Sequence, residues 1–178
     1  MPALVRHPHS PNHAVEAIDV DVVRTPERKL SLHYAVLGDL ARISIPAPAT
    51  PRIGWKLWRH TCCEVFLRAD DAEAYHEFNF SPSGEWTAYA FTRYREGAAL
   101  TDDRLDPQVV VESRPRRLDL YALVDLPRLG AAYVRGPLHV GVAVIIDEQD
   151  GGQSYWALRH APGKPDFHHR DAFALELA

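Results

Sequence analysis

The stretch that decides the fold is LDLYALVDL, residues 118–126. Its apolar positions are Leu118, Leu120, Ala122, Val124 and Leu126. An apolar side chain at every second position predicts a β-strand with one buried face, because successive side chains of a strand point to opposite faces. Residues 30–36 show the same alternation, so these two segments indicate a sheet with one face on a core.

Working outward from this stretch, similar runs occupy most of the chain. They lie at about 14–24, 39–45, 57–68, 74–81, 85–95, 108–114, 138–147, 153–160 and 171–177. Proline- and glycine-containing turns separate them, and no long amphipathic helix is present. About eleven short strands in 178 residues predict an all-β protein with little helix.

The expected architecture is an antiparallel β-sandwich of jelly-roll or immunoglobulin-like type, with about 10–11 strands. Residues 1–12 are rich in proline and histidine, and we expect them to form a loose tail. The remaining residues, 13–178, are long enough to form one domain with its own core.

Composition excludes several classes of partner. The formal net charge is −4, with acidic and basic residues intermixed, whereas a nucleic-acid-binding surface is basic. The most apolar stretch, residues 140–146, is too short to cross a membrane, and the first residues lack the apolar run of a secretory signal.

Cys62 and Cys63 are adjacent and we expect both to be reduced, which suits a cytoplasmic protein. The oligomeric state stays open.

Strand parity places chemistry-bearing side chains together. In residues 57–68, Trp58, His60 and Glu64 share one face, and Glu77 and Asn79 share a face of the next strand. Aromatic rings beside hydrogen-bonding groups suit a sugar, whose C–H face lies on a ring while its hydroxyls need donors and acceptors. The alternative is that Trp58 belongs to the core or its rim and that Glu64 is a surface carboxylate paired with an arginine.

Three segments carry a resemblance to a known family. They are WRHTCCEVFL at 58–67, YHEFNFSPSGEWTAYAF at 75–91 and SYWALRHAPGKPDFHHRDAFALEL at 154–177. The first resembles a strand of family 9 carbohydrate-binding modules and of the related DOMON-like β-sandwiches. The second resembles the strand pair that follows it, and the third resembles the closing strands of small bacterial DOMON-like proteins.

The resemblance implies a non-catalytic, ligand-binding β-sandwich. By position, Trp58 resembles one wall of the sugar slot of these modules, and Glu64 its carboxylate. In these sugar-binding modules the opposite aromatic wall comes from the C-terminal loop, and the resemblance makes Phe167 the first candidate here and Trp156 the second. The family also includes haem-binding domains that use methionine and histidine, but the only methionine here is Met1.

The C-terminal loop, residues 160–170, concentrates further polar groups. As a pocket wall, His160, Lys164, Asp166 and His168 would face hydroxyls or an anionic group, and the prolines would limit the entropy lost on binding. As a structural loop, Asp166 would pair with Arg170.

A third interpretation is a metal site, in which His160 and His168 join His60 and Glu64 as nitrogen and oxygen ligands. A related alternative is an enzyme whose acid–base set is Glu64, His60, His160 and Asp166. Glycine-rich phosphate loops and zinc-protease, Cys-x-x-Cys and serine-hydrolase motifs are absent, so no spacing requires catalysis.

We therefore expect a binding domain for a small polar ligand, a carbohydrate or glycoconjugate, without haem or a catalytic transition metal. The resemblance makes structural calcium a candidate. The oxygen-rich loops that would hold it contain Asp102, Asp103 and Asp106, or Asp147, Glu148 and Asp150. Plain solvation of these acidic loops is the competing interpretation.

Overall fold

The computed structural model describes residues 1–70 and 72–178. In this part of the chain twelve strands form two antiparallel sheets. The strands are β1 (Val5–Arg6), β2 (Val15–Arg24), β3 (Lys29–Gly38), β4 (Cys62–Ala69), β5 (Tyr75–Phe80), β6 (Trp86–Arg93), β7 (Glu96–Leu100), β8 (Gln108–Arg114), β9 (Arg117–Asp125), β10 (Leu138–Asp147), β11 (Gln153–Ala157) and β12 (Leu175–Leu177).

Helix is confined to short pieces. There is one α-helical turn among the described residues, α1 (Ala132–Arg135). Single turns of 3₁₀ helix span Leu40–Arg42, Leu57–Arg59, Asp103–Leu105, Leu126–Leu129 and Arg170–Ala172. In the part of the chain that the structure describes, no helix is long and apolar enough to cross a membrane. The all-β prediction is confirmed.

The larger sheet has the strand order β1-β11-β10-β4-β5-β6-β7, and β12 is a third partner of β10. The smaller sheet has the order β2-β3-β9-β8. Their inner faces bury one continuous hydrophobic core, to which β3 and β9 contribute on one side and β4, β5 and β10 on the other. The antiparallel β-sandwich expected from the sequence is therefore the observed fold.

The apolar side chains of residues 118–126 are buried, as their alternation predicts. Leu118, Leu120, Ala122 and Val124 are buried in the core between the sheets. The hydroxyl of Tyr34, on β3, crosses this core and donates a 2.9 Å hydrogen bond to the backbone carbonyl of Glu64 on β4. This bond satisfies a fully buried hydroxyl and ties the smaller sheet to the central strands of the larger one.

The first twelve residues differ from the loose tail that the sequence predicts. Val5 and Arg6 pair with Ala157 and Trp156 as the edge strand β1. Leu4 is 5% exposed and belongs to the core, and its burial supplies the driving force for docking. A high content of proline and histidine did not reveal this, because pairing depends on an edge strand distant in the sequence.

Two segments that the sequence predicts as strands, 39–45 and 57–68, differ from that prediction in the structure. Residues 39–45 contain a 3₁₀ turn, capped by the Asp39 carboxylate, which accepts from the backbone N–H of Ala41. Residues 57–59 form another 3₁₀ turn, so β4 begins at Cys62 instead of residue 57. Trp58 and His60 therefore lie before the strand, whereas the parity within β4 holds: Cys63, Val65 and Leu67 face the core.

Candidate ligand-binding site

The outer face of the larger sheet carries a cavity of about 710 Å³. It lies on the side opposite the core, between the strands from β11 across to β7 and the loop at 165–168. Its lining side chains are Trp58, Arg59, Glu64, Glu77, Tyr89, Phe91, Arg95, Ile145, Gln153, Tyr155, Pro165, Phe167 and His168, with Gly97 at one edge. Five of these are aromatic rings other than histidine and two are carboxylates, a composition suited to a polar ligand with apolar faces.

The two carboxylates form the floor of this cavity. Glu64 lies opposite Asn79 and Glu77 lies opposite Phe66 in the pairing of β4 with β5. Glu64 and Glu77 are thus diagonal neighbours on one face, a separation of roughly 7–8 Å between Cα atoms in antiparallel sheets. They are 2% and 5% exposed, so both carboxylates are almost completely withdrawn from bulk water.

Burial perturbs both acids. It raises the pKa of Glu64 well above its ordinary value, and the nearby charge of Glu77 raises it further. Burial also raises the pKa of Glu77 to about 7, although a hydrogen bond from Asn79 and the charge of Arg95 act in the opposite direction. Two carboxylates in one buried site resist simultaneous ionisation, so this floor exchanges a proton near neutral pH.

Asn79 lies beside the floor, directly opposite Glu64 in the pairing of β4 with β5. Its Nδ2 donates a 2.8 Å hydrogen bond to Oε1 of Glu77, and the side chain is completely buried. Its Oδ1 has no hydrogen-bond partner in the described part of the chain. Asn79 therefore fixes the orientation of Glu77 and leaves one buried acceptor unsatisfied beside the carboxylate pair.

Trp58 stands at the rim. It follows Leu57 in the 3₁₀ turn and remains 41% exposed, whereas most aromatic rings of this protein are buried. The guanidinium carbon of Arg59 lies 5.2 Å from the centroid of the Trp58 ring. Phe167 lines the same cavity and packs against Tyr155 and Phe66 at centroid distances of 6.2 Å and 6.5 Å.

The C-terminal loop is fastened to the turn between β6 and β7. The Asp166 carboxylate accepts hydrogen bonds from the Tyr94 hydroxyl at 2.6 Å and from Nη2 of Arg95 at 2.8 Å. Burial alone would raise the pKa of Asp166, but these two hydrogen bonds, the charge of Arg95 and a hydrogen bond from the backbone of His168 together hold the pKa below its ordinary value. Asp166 thus positions Arg95 at the edge of the cavity, and its partner is not the Arg170 that the structural interpretation of the loop suggested.

His168 closes the cavity beside Glu77. Its Nδ1 hydrogen-bonds the Tyr75 hydroxyl at 2.9 Å, and its Nε2 lies 3.6 Å from Oε2 of Glu77. Burial, together with the charge of Arg95, lowers the pKa of His168 to about 4, with Asp166 acting in the opposite direction. The imidazole is therefore neutral at physiological pH and does not cancel the charge of the carboxylate floor.

Four other side chains from the sequence prediction lie elsewhere. Trp156 packs in the core, where its Nε1 donates to Oγ of Ser154 at 2.9 Å. His60 is exposed beside Asp147 and lines a second, smaller cavity. Nε2 of His160 lies 2.7 Å from the carbonyl of Val5, and Lys164 is exposed outside the cavity lining.

The residues of the metal and acid–base alternatives are thus separated. Glu64 and His168 line the cavity, Asp166 contacts it only through Arg95, and His60 and His160 lie outside it. Across residues 1–70 and 72–178, no three histidine, cysteine or acidic side chains are grouped as a metal site would need. In the acidic loops, the Asp102 carboxylate accepts from Arg104 and the Glu148 carboxylate from the backbone of His13.

Three of the additional lining residues could have been predicted from the alternation of their strands. Tyr89 and Phe91 alternate with core-facing Ala88 on β6, and Tyr155 alternates with core-facing Trp156 on β11. Parity would have assigned all three to the outer face once the direction of one neighbour was known. Arg95 carried no such signal, because its place depends on a loop that begins 70 residues later.

Comparison with known proteins supports the fold. No protein-family model matches the sequence, and no curated protein matches it. Among solved structures, one similar chain is described as a "putative carbohydrate-binding protein" from Bacteroides uniformis. The two share 13% identity with a TM-score of 0.68, over 96% of this chain and 82% of the other. This similarity shows a common β-sandwich fold.

A second similar structure is a family 9 carbohydrate-binding module from Caldicellulosiruptor kristjanssonii in complex with glucose. It is 10% identical, with a TM-score of 0.48, over 83% of this chain and 69% of the module.

Proposed function

We propose that this protein is a non-catalytic binding domain whose ligand is a carbohydrate or glycoconjugate held in the cavity of the larger sheet. The observation that carries the proposal is a pair of buried carboxylates at the floor of a cavity lined by five aromatic side chains. A volume of about 710 Å³ lies within the range of small-molecule sites.

Each part of the site has a counterpart in the chemistry of a sugar. The exposed ring of Trp58 offers an apolar face to C–H groups, and the carboxylates of Glu64 and Glu77 accept hydrogen bonds from hydroxyls. The Arg59 guanidinium at the rim adds donors, and the Gln153 amide, which also donates to the Arg59 carbonyl, adds a further polar group. The solved structure described as carbohydrate-binding shares this fold, which adds support to the proposal.

Titration calorimetry against a panel of mono- and oligosaccharides tests the proposal. We expect at least one sugar to bind saturably, and chemical-shift changes on binding to fall on the cavity residues and not on the smaller sheet. A panel without any binding member, or shifts confined to the smaller sheet, would remove the support for a sugar site in this cavity.

Replacing Trp58 with alanine is expected to weaken sugar binding about tenfold or more, since stacking and the burial of ring surface are both lost. Because Trp58 is 41% exposed in the free protein, the melting temperature should change little. Trp55→Ala is the matched control, since Trp55 is 76% exposed and lines a different cavity. Equal loss of affinity in both variants, or unfolding of Trp58→Ala, contradicts the role of Trp58.

A catalytic function is the second candidate, and one observation favours it. Burial places the pKa of Glu77 at about 7, where a carboxyl group can both donate and accept a proton. Steady hydrolysis of any glycoside by the wild-type protein, lost in Glu64→Gln and in Glu77→Gln, would replace the binding function by an enzymatic one.

A further inference from the structure

The carboxylate floor has little compensating charge. Glu64 and Glu77 are both almost fully buried, and they contribute two acidic groups to one cavity. The Glu64 carboxylate receives no hydrogen bond from the described residues, and the like charge of Glu77 lies beside it. Glu77 accepts one hydrogen bond, from the neutral amide of Asn79. A buried acid pair with so few donors favours a ligand that brings positive charge.

The basic side chains at the cavity are engaged elsewhere. Arg95 is paired with Asp166 at 2.8 Å, so its charge is shared with that carboxylate, although it still favours the ionised form of Glu77. Arg59 is exposed at the rim above the Trp58 ring, where water and salt screen its charge. His168 faces Glu77 but is partly buried and hydrogen-bonded to Tyr75. The lining from β10 is apolar Ile145.

The aromatic walls of the cavity also favour a positively charged ligand group. Trp58, Tyr89, Phe91, Tyr155 and Phe167 surround the floor with π-faces and ring edges. A ring face attracts a cation within about 6 Å of its centroid, and the attraction grows when the cation is withdrawn from water. Aromatic walls over a carboxylate floor therefore offer an ammonium group two kinds of favourable contact at once.

We propose that the preferred ligand of this cavity carries a protonated amine, as an amino sugar does, with the ammonium group seated at Glu64 and Glu77 among the aromatic rings. This inference rests on the proposed sugar-binding function and narrows it to a class of ligand. No covalent step is involved: the ammonium group supplies the charge and the three N–H donors that the acid pair lacks.

Matched sugar series test the proposal by calorimetry at about pH 7. Each series holds the parent hexose, its 2-amino-2-deoxy derivative and the N-acetyl form, in the gluco, galacto and manno configurations. The N-acetyl form keeps the substituent and removes its charge. In at least one series we expect the amine to bind about tenfold tighter than both neutral members, with the difference shrinking as salt screens the charges.

The acid pair must be the source of this preference. A bound ammonium group lowers the pKa of both acids and so favours their ionised forms. Glu64→Gln and Glu77→Gln are therefore each expected to reduce the ratio of amine affinity to neutral-sugar affinity severalfold. In the wild type, the same ratio should fall as the pH is lowered from about 7 to about 5, because the floor takes up protons while the amine stays charged. Glu176→Gln, an exposed acid on β12 outside the cavity, should leave the ratio unchanged.

The outcomes separate the two proposals. If neutral sugars bind as tightly as their amines, or if both glutamine variants keep the wild-type ratio, the amine preference is overturned while the sugar-binding function stands. If no sugar binds, charged or neutral, methylammonium chloride decides: saturable shifts of the cavity resonances would keep the ammonium site and reject the sugar. No response to methylammonium would reject both.

Discussion

Phe78→Ala is expected to lower the free energy of unfolding by about 3–5 kcal/mol. The Phe78 side chain is completely buried, faces the smaller sheet from β5 and stacks against Phe80 at a centroid distance of 6.0 Å. Its removal leaves a cavity between two sheets, whose strands are held in register and cannot close the space. Small domains have about 5–15 kcal/mol of stability in total, so the loss is a large fraction.

Chemical denaturation of the variant and the wild type measures this loss, and Phe91→Ala is its matched control. Phe91 lies one strand away on β6, but it faces the cavity and is only half-buried. We expect it to lose less stability than Phe78→Ala and to weaken ligand binding. If the Phe91 variant were the less stable of the two, the main core would not lie where β5 meets the smaller sheet.

The period-two pattern was sufficient to predict which residues form this core. Residues 118–126 and the central strand β4 have the burial that alternation indicates, with Cys63 and Val65 inside and Glu64 on the opposite face. The rule succeeds because the extended backbone has a fixed period and one face of each sheet must be buried. The β-sandwich and its near absence of helix follow from that constraint repeated along the chain.

The same rule fails where the backbone leaves the extended conformation. Parity counted back from β4 puts Trp58 and His60 on the face of Glu64, but a 3₁₀ turn at Leu57–Arg59 separates them. Trp58 reaches the rim of the cavity, whereas His60 points to a different cavity. A turn of three residues is too short to show a period of its own, so the sequence could not separate these two side chains.

Contacts between segments that are distant in the chain could not be predicted from the sequence, for a different reason. Asp166 forms an ion pair with Arg95, about 70 residues earlier in the chain. Val5 and Arg6 of β1 pair with β11, about 150 residues later. Local spacing carries no information on such partners, since each segment looks like ordinary polar loop by itself. The sequence alone therefore predicts the aromatic and acidic content of the site but not the loop that encloses it.

Glu77→Gln is expected to stabilise the protein at about pH 8, by roughly 2–3 kcal/mol, because the wild type must then ionise a carboxyl buried beside Glu64. The folded state raises the pKa of Glu77 to about 7 from an ordinary 4.5. Such a group favours folding below its unfolded pKa, and this contribution is lost as the pH rises through the folded value. Glutamine keeps the oxygen that accepts from Asn79 and never ionises.

The stability difference between variant and wild type should therefore grow between about pH 4.5 and about pH 7 and be nearly constant outside that window. Urea denaturation across this range measures it, and taking the difference cancels every group that the two proteins share. A difference independent of pH would mean that Glu77 has an ordinary pKa in the folded protein. Glu176→Gln, which removes an exposed acid, should show no such window.

His168→Gln, in the same cavity, is expected to change the pH dependence of stability in the direction opposite to Glu77→Gln. Burial lowers the pKa of His168 to about 4 from 6.5, so the wild-type imidazole favours folding above its unfolded pKa and loses that contribution as the pH falls. The glutamine variant should thus gain stability relative to wild type on acidification from about 6.5 to about 4, where Glu77→Gln loses its advantage. Because these slopes oppose each other, the wild type alone would show a muted pH dependence, and the two variants are needed to reveal both groups. Parallel slopes in the two variants would contradict the burial of either the acid or the imidazole.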